Sequence, residues 1–292
     1  MSVNLGRVGV WTFAFEDQPV ARVREAAAEL DRLGYGAIWI GEAFGREAFT
    51  QAALLLEATE RLAVATGIAN IFLRGPIAAA AAERTLGEAF PDRFLLGLGG
   101  HRTVDQPAGL LPHHGRPVPT VRAYLDAMDQ APLRSPAPAE PPRRVLAALG
   151  PRMLELAAER TWGAHSYFVP VEHTARAREI LGPDALLAVE QTVVLERPDR
   201  GREIAREFVG GYTQALHQVE NLRRLGFGDD DLLDGGSDRL LEALVVWGDV
   251  ETVAGRVREH LDAGADHVCV QVLAEGLPIR QWRELAPALL EL

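Results

Sequence analysis

Short apolar runs alternate along this chain with longer stretches in which apolar positions return every three or four residues. The runs Val8–Trp11, Ala37–Gly41, Leu62–Ile71, Phe94–Leu98, Arg144–Leu149, Ala164–Val169, Leu187–Leu195 and His267–Leu273 read as buried strands. Between them, Gln18–Leu33 carries Val20, Val23, Ala27 and Leu30 on one helical face and stops at Gly34. Ala78–Phe90 follows Pro76, a good first helical residue. Asp249–Ala263 starts on a capping aspartate, places Val250, Val253, Val257 and Leu261 together, and ends at Gly264. Strands followed by helices predict parallel pairing through right-handed crossovers, and over 292 residues the natural closure is a (β/α)8 TIM barrel. A doubly wound open sheet is the alternative. It is weakened because GLGGHR (97–102) puts Arg102 where a dinucleotide fingerprint needs its third glycine.

Two regions exceed a minimal barrel. Pro107–Pro119 and Pro132–Pro142 are proline-rich and read as loops after strand four. Residues 199–244, after strand seven, are helical in pattern and too long for one crossover helix, so they are expected to form an insertion serving as a lid or a subunit contact. No repeat or linker divides the chain, which is expected to be a single domain over 1–292.

Composition narrows the chemistry. The formal charge of −11 argues against nucleic acid or an anionic membrane as partner. No apolar run reaches the length of a membrane span, and the start MSVNLGRVGVW lacks a secretion signal. With Cys269 alone no internal disulfide forms, so a reducing cytoplasm is the expected compartment. The basic side chains are all arginine; the absence of lysine removes Schiff-base and lysine-bound pyridoxal phosphate chemistry.

Barrel enzymes carry their reacting groups at the C-terminal ends of the strands. That rule selects Trp11–Phe13, Glu42, Asn70, Gly99–Arg102, Gly150–Met153, Tyr167, Glu190–Thr192 and Gln271. The histidines do not converge there, and no metal is expected. Glu42 and Glu190 would suit glycoside hydrolysis only at a separation that sequence does not fix. In LAALGPRMLELAAERTWG (146–163), Gly150-Pro151 opens a helix at the rim. The N–H groups of Arg152 and Met153 are left facing outward, a ready site for an anion. One oddity remains: ATGIANIFLRGP (65–76) interrupts an apolar strand with Gly67 and places Asn70 in its core.

The segments YGAIWIGEAFGREAF, LAVATGIANIFLRGPIAAAAAERTLGEAFPDRFLLGLGGH, ALGPRMLELAAERTWGAHSYFV and VETVAGRVREHLDAGADHVCVQVL together resemble the bacterial luciferase-like superfamily, in its branch of oxidoreductases that use the deazaflavin coenzyme F420. The resemblance implies a bulge in strand three with a non-proline cis peptide at Gly67–Ile68. Ala69 follows it, and Asn70 meets the polar edge of the cofactor ring. It places the cofactor phosphate on Gly150, Arg152 and Met153, and it leaves a homodimer open. Many relatives carry Asp, often followed by His, where this chain has Glu42-Ala43, and the best-known sugar-phosphate enzyme of the branch carries an acid where it has Arg102. The expected proton donors are therefore His101 and Glu42. The implied reaction is hydride transfer between coenzyme F420 and a small organic substrate. An FMN-dependent two-component monooxygenase and a non-catalytic flavin- or deazaflavin-binding barrel are the alternatives.

Overall fold

The computed structural model describes residues 3–43, 45–100 and 116–292. The chain opens with β1 (Val8–Thr12), α1 (Val20–Leu33), β2 (Ala37–Ile40), α2 (Ala48–Glu57), β3 (Ala63–Thr66), β4 (Ala69–Asn70) and α3 (Pro76–Ala89). β5 (Phe94–Gly99), α4 (Pro117–Asp129), β6 (Arg144–Ala147), α5 (Pro151–Arg160), β7 (Gly163–Ser166), α6 (Val171–Leu181) and β8 (Leu186–Val194) follow. Four helices then come in succession: α7 (Pro198–Tyr212), α8 (Leu216–Arg224), α9 (Asp229–Leu232) and α10 (Asp238–Leu244). The chain finishes with β9 (Val245–Trp247), α11 (Val250–Asp262), β10 (His267–Val272) and α12 (Ile279–Leu289).

Every described strand pairing is parallel, and the order β1-β2-β3-β5-β6-β7-β8 returns to β1 through β10, which bonds both β8 and β1. β4 continues β3 along β5, so the two share one position in a closed eight-position barrel. β9 is an addition outside the ring, pairing Val245–Trp247 with Thr192–Val194 at the top of β8.

Alternation along each strand builds two cores. Trp11, Trp39, Leu95, Val145, Ala188 and Cys269 fill the barrel interior. Val10, Ile38, Val64, Leu96, Leu146 and Val268 face the helices. The helices begin where sequence chemistry allows. Pro76, Pro117, Pro151 and Pro198 occupy first-turn positions, where a missing N–H is harmless. Asp249 caps α11 by accepting from Thr252 N at 2.9 Å.

Three differences from the sequence reading have physical causes. The run Leu62–Ile71 is two strands, because its register shifts in the middle. Pro117 and Pro119 start α4 rather than ending a loop. β9 was hidden because Leu244 passes from helix into Val245-Val246-Trp247 with no glycine, proline or polar break. The histidines expected in the loop after strand four, His101, His113 and His114, lie outside the described residues, as does Arg102.

Candidate active site

The interruption in strand three is a bulge, and the register proves it. Ala65 pairs with Leu95 and Ala69 with Leu98, so four steps on one strand face three on the other. Where the ladder opens, Thr66 replaces it: its hydroxyl donates to Gly97 O at 2.7 Å and accepts from Gly97 N at 2.9 Å. The Gly67–Ile68 peptide is cis, as the resemblance implied. The Gly67 carbonyl accepts from Trp11 Nε1 at 3.1 Å, on the barrel interior. A Cβ at residue 67 would fall 2.5 Å from that nitrogen and 3.2 Å from His165 Nε2, so only glycine fits over this floor.

Past the bulge, Asn70 is buried, and Glu42 holds the chain there. Glu42 Oε2 accepts from Asn70 N at 2.8 Å and from Arg74 Nη1 at 2.7 Å, while Oε1 accepts from Ala48 N at 3.0 Å and from Arg74 Nη2. The side-chain oxygen of Asn70 accepts from Phe72 N at 3.0 Å. Four donors, two of them on one guanidinium, surround the carboxylate of Glu42. Its geometry is that of a clamp joining β4 to α2. A groove of about 560 Å³ beside the clamp is lined by Glu42, Arg46, Glu47, Phe49, Leu73 and Arg74, but not by Gly67, Ile68 or Ala69.

Under the bulge, the interior is aromatic and polar. Trp39 stacks on His165 with centroids 4.5 Å apart, and its Nε1 donates to His267 Nε2 at 3.0 Å. His267 Nδ1 donates to Gly6 O, which fixes that tautomer. Burial holds both imidazoles neutral, lowering His165 to about 3 and His267 to about 4.

Toward the rim, Trp11 lies 4.8 Å from the Tyr167 ring. Tyr167 Oη donates to Gln271 Oε1 at 2.8 Å and lies 2.7 Å from Tyr212 Oη, which reaches in from α7. Glu190 is fully enclosed beside them. Its Oε1 accepts from Thr192 Oγ1 at 2.7 Å and its Oε2 from Phe168 N at 3.0 Å. Burial raises its pKa from 4.5 to about 7, against the pull of those two hydrogen bonds. Burial also lifts Tyr212 to about 12 and Tyr167 well above 10, and the nearby Glu190 charge adds to both shifts.

The third part is the start of α5. Gly150 is its N-cap and Pro151 its first residue, both at the C-terminal end of β6. Met153 N bonds back to Gly150 O at 3.0 Å, so of the two N–H groups expected to face outward only that of Arg152 has no acceptor among the described residues. The rim rule had already singled out Tyr167, Glu190, Thr192 and Gln271. What it lacked was the environment that separates Glu190, enclosed without a cation, from the Arg74-bound Glu42.

A closed parallel barrel, a broken third strand above an aromatic floor, a buried acid whose pKa burial raises and a helix N-terminus at the rim together match what barrel enzymes carry at the C-terminal mouth. The chain belongs to the luciferase-like monooxygenase family, whose model matches residues 5–267. It is 29% identical over 163 residues to a Mycobacterium tuberculosis protein named as a coenzyme F420-dependent oxidoreductase, Rv3520c; the match covers 55% of this chain and 44% of that relative. Two solved structures share the fold over nearly their whole length. An F420-dependent secondary alcohol dehydrogenase in complex with an F420-acetone adduct has a TM-score of 0.75 at 15% identity, covering 99% of each chain. The oxygenating constituent of 3,6-diketocamphane monooxygenase from Pseudomonas putida, in complex with FMN, has a TM-score of 0.68 at 17% identity, covering 98% of this chain and 96% of that one.

Proposed function

We propose that this protein transfers a hydride between coenzyme F420 and a small organic substrate held above the barrel. The reading is carried by the bulge: its backbone steps out of the ladder at the mouth, pinned from beneath by Trp11 and from the side by Thr66. Such a shelf suits one face of a flat ring. The name of the Mycobacterium tuberculosis relative supports the deazaflavin over a flavin. The residues fit that group at both ends, with the shelf at 67–70 for the ring and the open Arg152 N–H at the start of α5 for its phosphate.

When bound, the deazaflavin ring supplies or takes up the hydride. The protein's own work is orientation, exclusion of water and custody of one proton. Reduction of a carbonyl requires a proton at oxygen as hydride adds to carbon; alcohol oxidation returns both. His101 remains a candidate donor from sequence alone. Among the described residues Glu190 is the better placed: with its pKa near 7, its carboxyl group exchanges a proton at neutral pH, next to Thr192 Oγ1 and Tyr167. The Tyr212–Tyr167–Gln271 chain holds hydrogen-bonding groups at the mouth, and burial keeps its phenols protonated.

The second reading is an FMN-dependent monooxygenase, favoured by the family's description and by the FMN complex of the camphane enzyme. Fluorescence titration of the purified protein with F420 and with FMN decides between them. Tighter binding of F420, with turnover of reduced F420 by a carbonyl substrate, is the expected result. Tighter binding of FMN, with oxygen consumed when reduced FMN is supplied, reverses the assignment. Binding of either ring with no turnover leaves a non-catalytic carrier.

A further inference from the structure

Helix α8 ends against the start of α5, although more than sixty residues separate them in the chain. The guanidinium of Arg224, the last residue of α8, stands over Gly150: a Cβ there would begin 3.4 Å from Arg224 Nη2 and 3.7 Å from its Cζ. One turn back on the same helix, Asn221 is 1% exposed. Its Oδ1 lies 3.4 Å from Arg224 Nη2, and its Nδ2 is buried with no acceptor. Arg176 on α6 donates to the Arg224 carbonyl at 3.2 Å, tying a second guanidinium to the same corner. Among the described residues, none of Arg152, Arg176 and Arg224 has a carboxylate partner, in a chain whose net charge is −11. Below them, Nε2 of His173 donates to Leu149 O at 2.9 Å. Burial keeps that imidazole neutral, and the charges of Arg224 and Arg176 push it the same way. Positive charge, an open helix N–H and a buried amide donor thus converge at one corner where, among the described residues, no carboxylate answers them.

We propose that α8 supplies the second half of an anion site, with Arg224 and Asn221 binding, opposite the Arg152 N–H, a phosphoryl group carried on the side chain of the ring cofactor. The inference deepens the cofactor reading and rests on it. It also gives the helical segment after β8 a defined task, which is to close the phosphate end of the site with a guanidinium fork matched to two phosphate oxygens. Arg176 buttresses Arg224 through its carbonyl and adds charge.

The test uses two matched pairs of probes, FMN against riboflavin and F420 against the same deazaflavin lacking its phosphate. Arg224→Ala, which removes an exposed side chain, should weaken binding of each phosphorylated member roughly tenfold at low salt and leave its phosphate-free partner unchanged. The difference should shrink as salt is added, and Arg224→Lys should restore part of it. Inorganic phosphate should compete with the phosphorylated probe on the wild type and not on Arg224→Ala. Equal weakening of both members of a pair, or of neither, overturns the proposal. Should the wild type bind no ring at all, the cofactor reading falls by itself. The anion site is then judged by inorganic phosphate, which must raise the melting temperature of the wild type but not that of Arg224→Ala.

Discussion

The single hydroxyl of Thr66 replaces a stretch of ladder, and Thr66→Val tests that substitution with little change of shape. Gly97 turns both its N–H and its carbonyl toward β3 at the level where the bulge has carried the β3 backbone away. Residue 97 is glycine because a Cβ there would lie 2.0 Å from the Thr66 carbonyl oxygen, so no side chain can shield these groups instead. Thr66 is fully buried, and water does not replace its hydroxyl. Valine therefore leaves a donor and an acceptor unanswered in the barrel wall. At roughly 1–3 kcal/mol for each abandoned group, the expected loss is about 3 kcal/mol after partial relaxation. Thr66→Ser keeps the hydroxyl and removes one methyl, for a loss of about 1 kcal/mol. Urea unfolding followed by circular dichroism reads the difference. With a slope of about 3 kcal/mol per M for a chain of this size, Thr66→Val should move the midpoint down by about 1 M and Thr66→Ser by about a third of that. If Thr66→Val unfolds within about 0.2 M of the wild type, or if serine is as harmful as valine, the hydroxyl does not carry the break in the ladder.

Gly67→Ala should give a folded protein with ring affinity reduced at least tenfold, since its Cβ falls 2.5 Å from Trp11 Nε1; circular dichroism and titration check this, and adding Trp11→Phe should recover part of the loss by clearing the clash. Glu190 binds its proton more tightly folded than unfolded, so it contributes stability below pH 4.5 that disappears as pH rises toward about 7, while buried His165 and His267 act in the opposite sense, contributing above pH 6.5 and failing in acid. Glu190→Gln should therefore make stability climb more steeply between pH 4.5 and 6.5 than in the wild type, by about 3 kcal/mol in all; parallel profiles would place the Glu190 pKa near its ordinary value.

The barrel was legible because its strands are continuous apolar runs, buried on both faces and separated by helices with ordinary starts and stops. The bulge was legible as Gly67 and Asn70, two residues a buried strand does not want. Its mechanism was not, because the Thr66–Gly97 and Trp11–Gly67 bonds join strands 31 and 56 residues apart. Glu42 and Glu190 look equivalent in sequence, each an acid singled out for the barrel mouth. The fold gives one of them Arg74, from beyond β4, and gives the other only a hydroxyl and a backbone N–H. Both are buried, so the difference lies in their partners, and no local pattern records it. Arg224 was invisible for the same reason, lying in a segment whose helical periodicity says nothing about what its last turn meets.

The helices after β8 have one more consequence. Buried apolar residues, among them Phe168, Val194, Val209, Leu222, Leu240 and Val245, knit this segment to the top of β7, β8 and β9. Peeling it away would wet several of them at about 1.5–3 kcal/mol each, more than a passing ligand repays. The segment is therefore a fixed part of the barrel top, and under the proposed function a substrate meets a preset outline there and is accepted or refused by its shape.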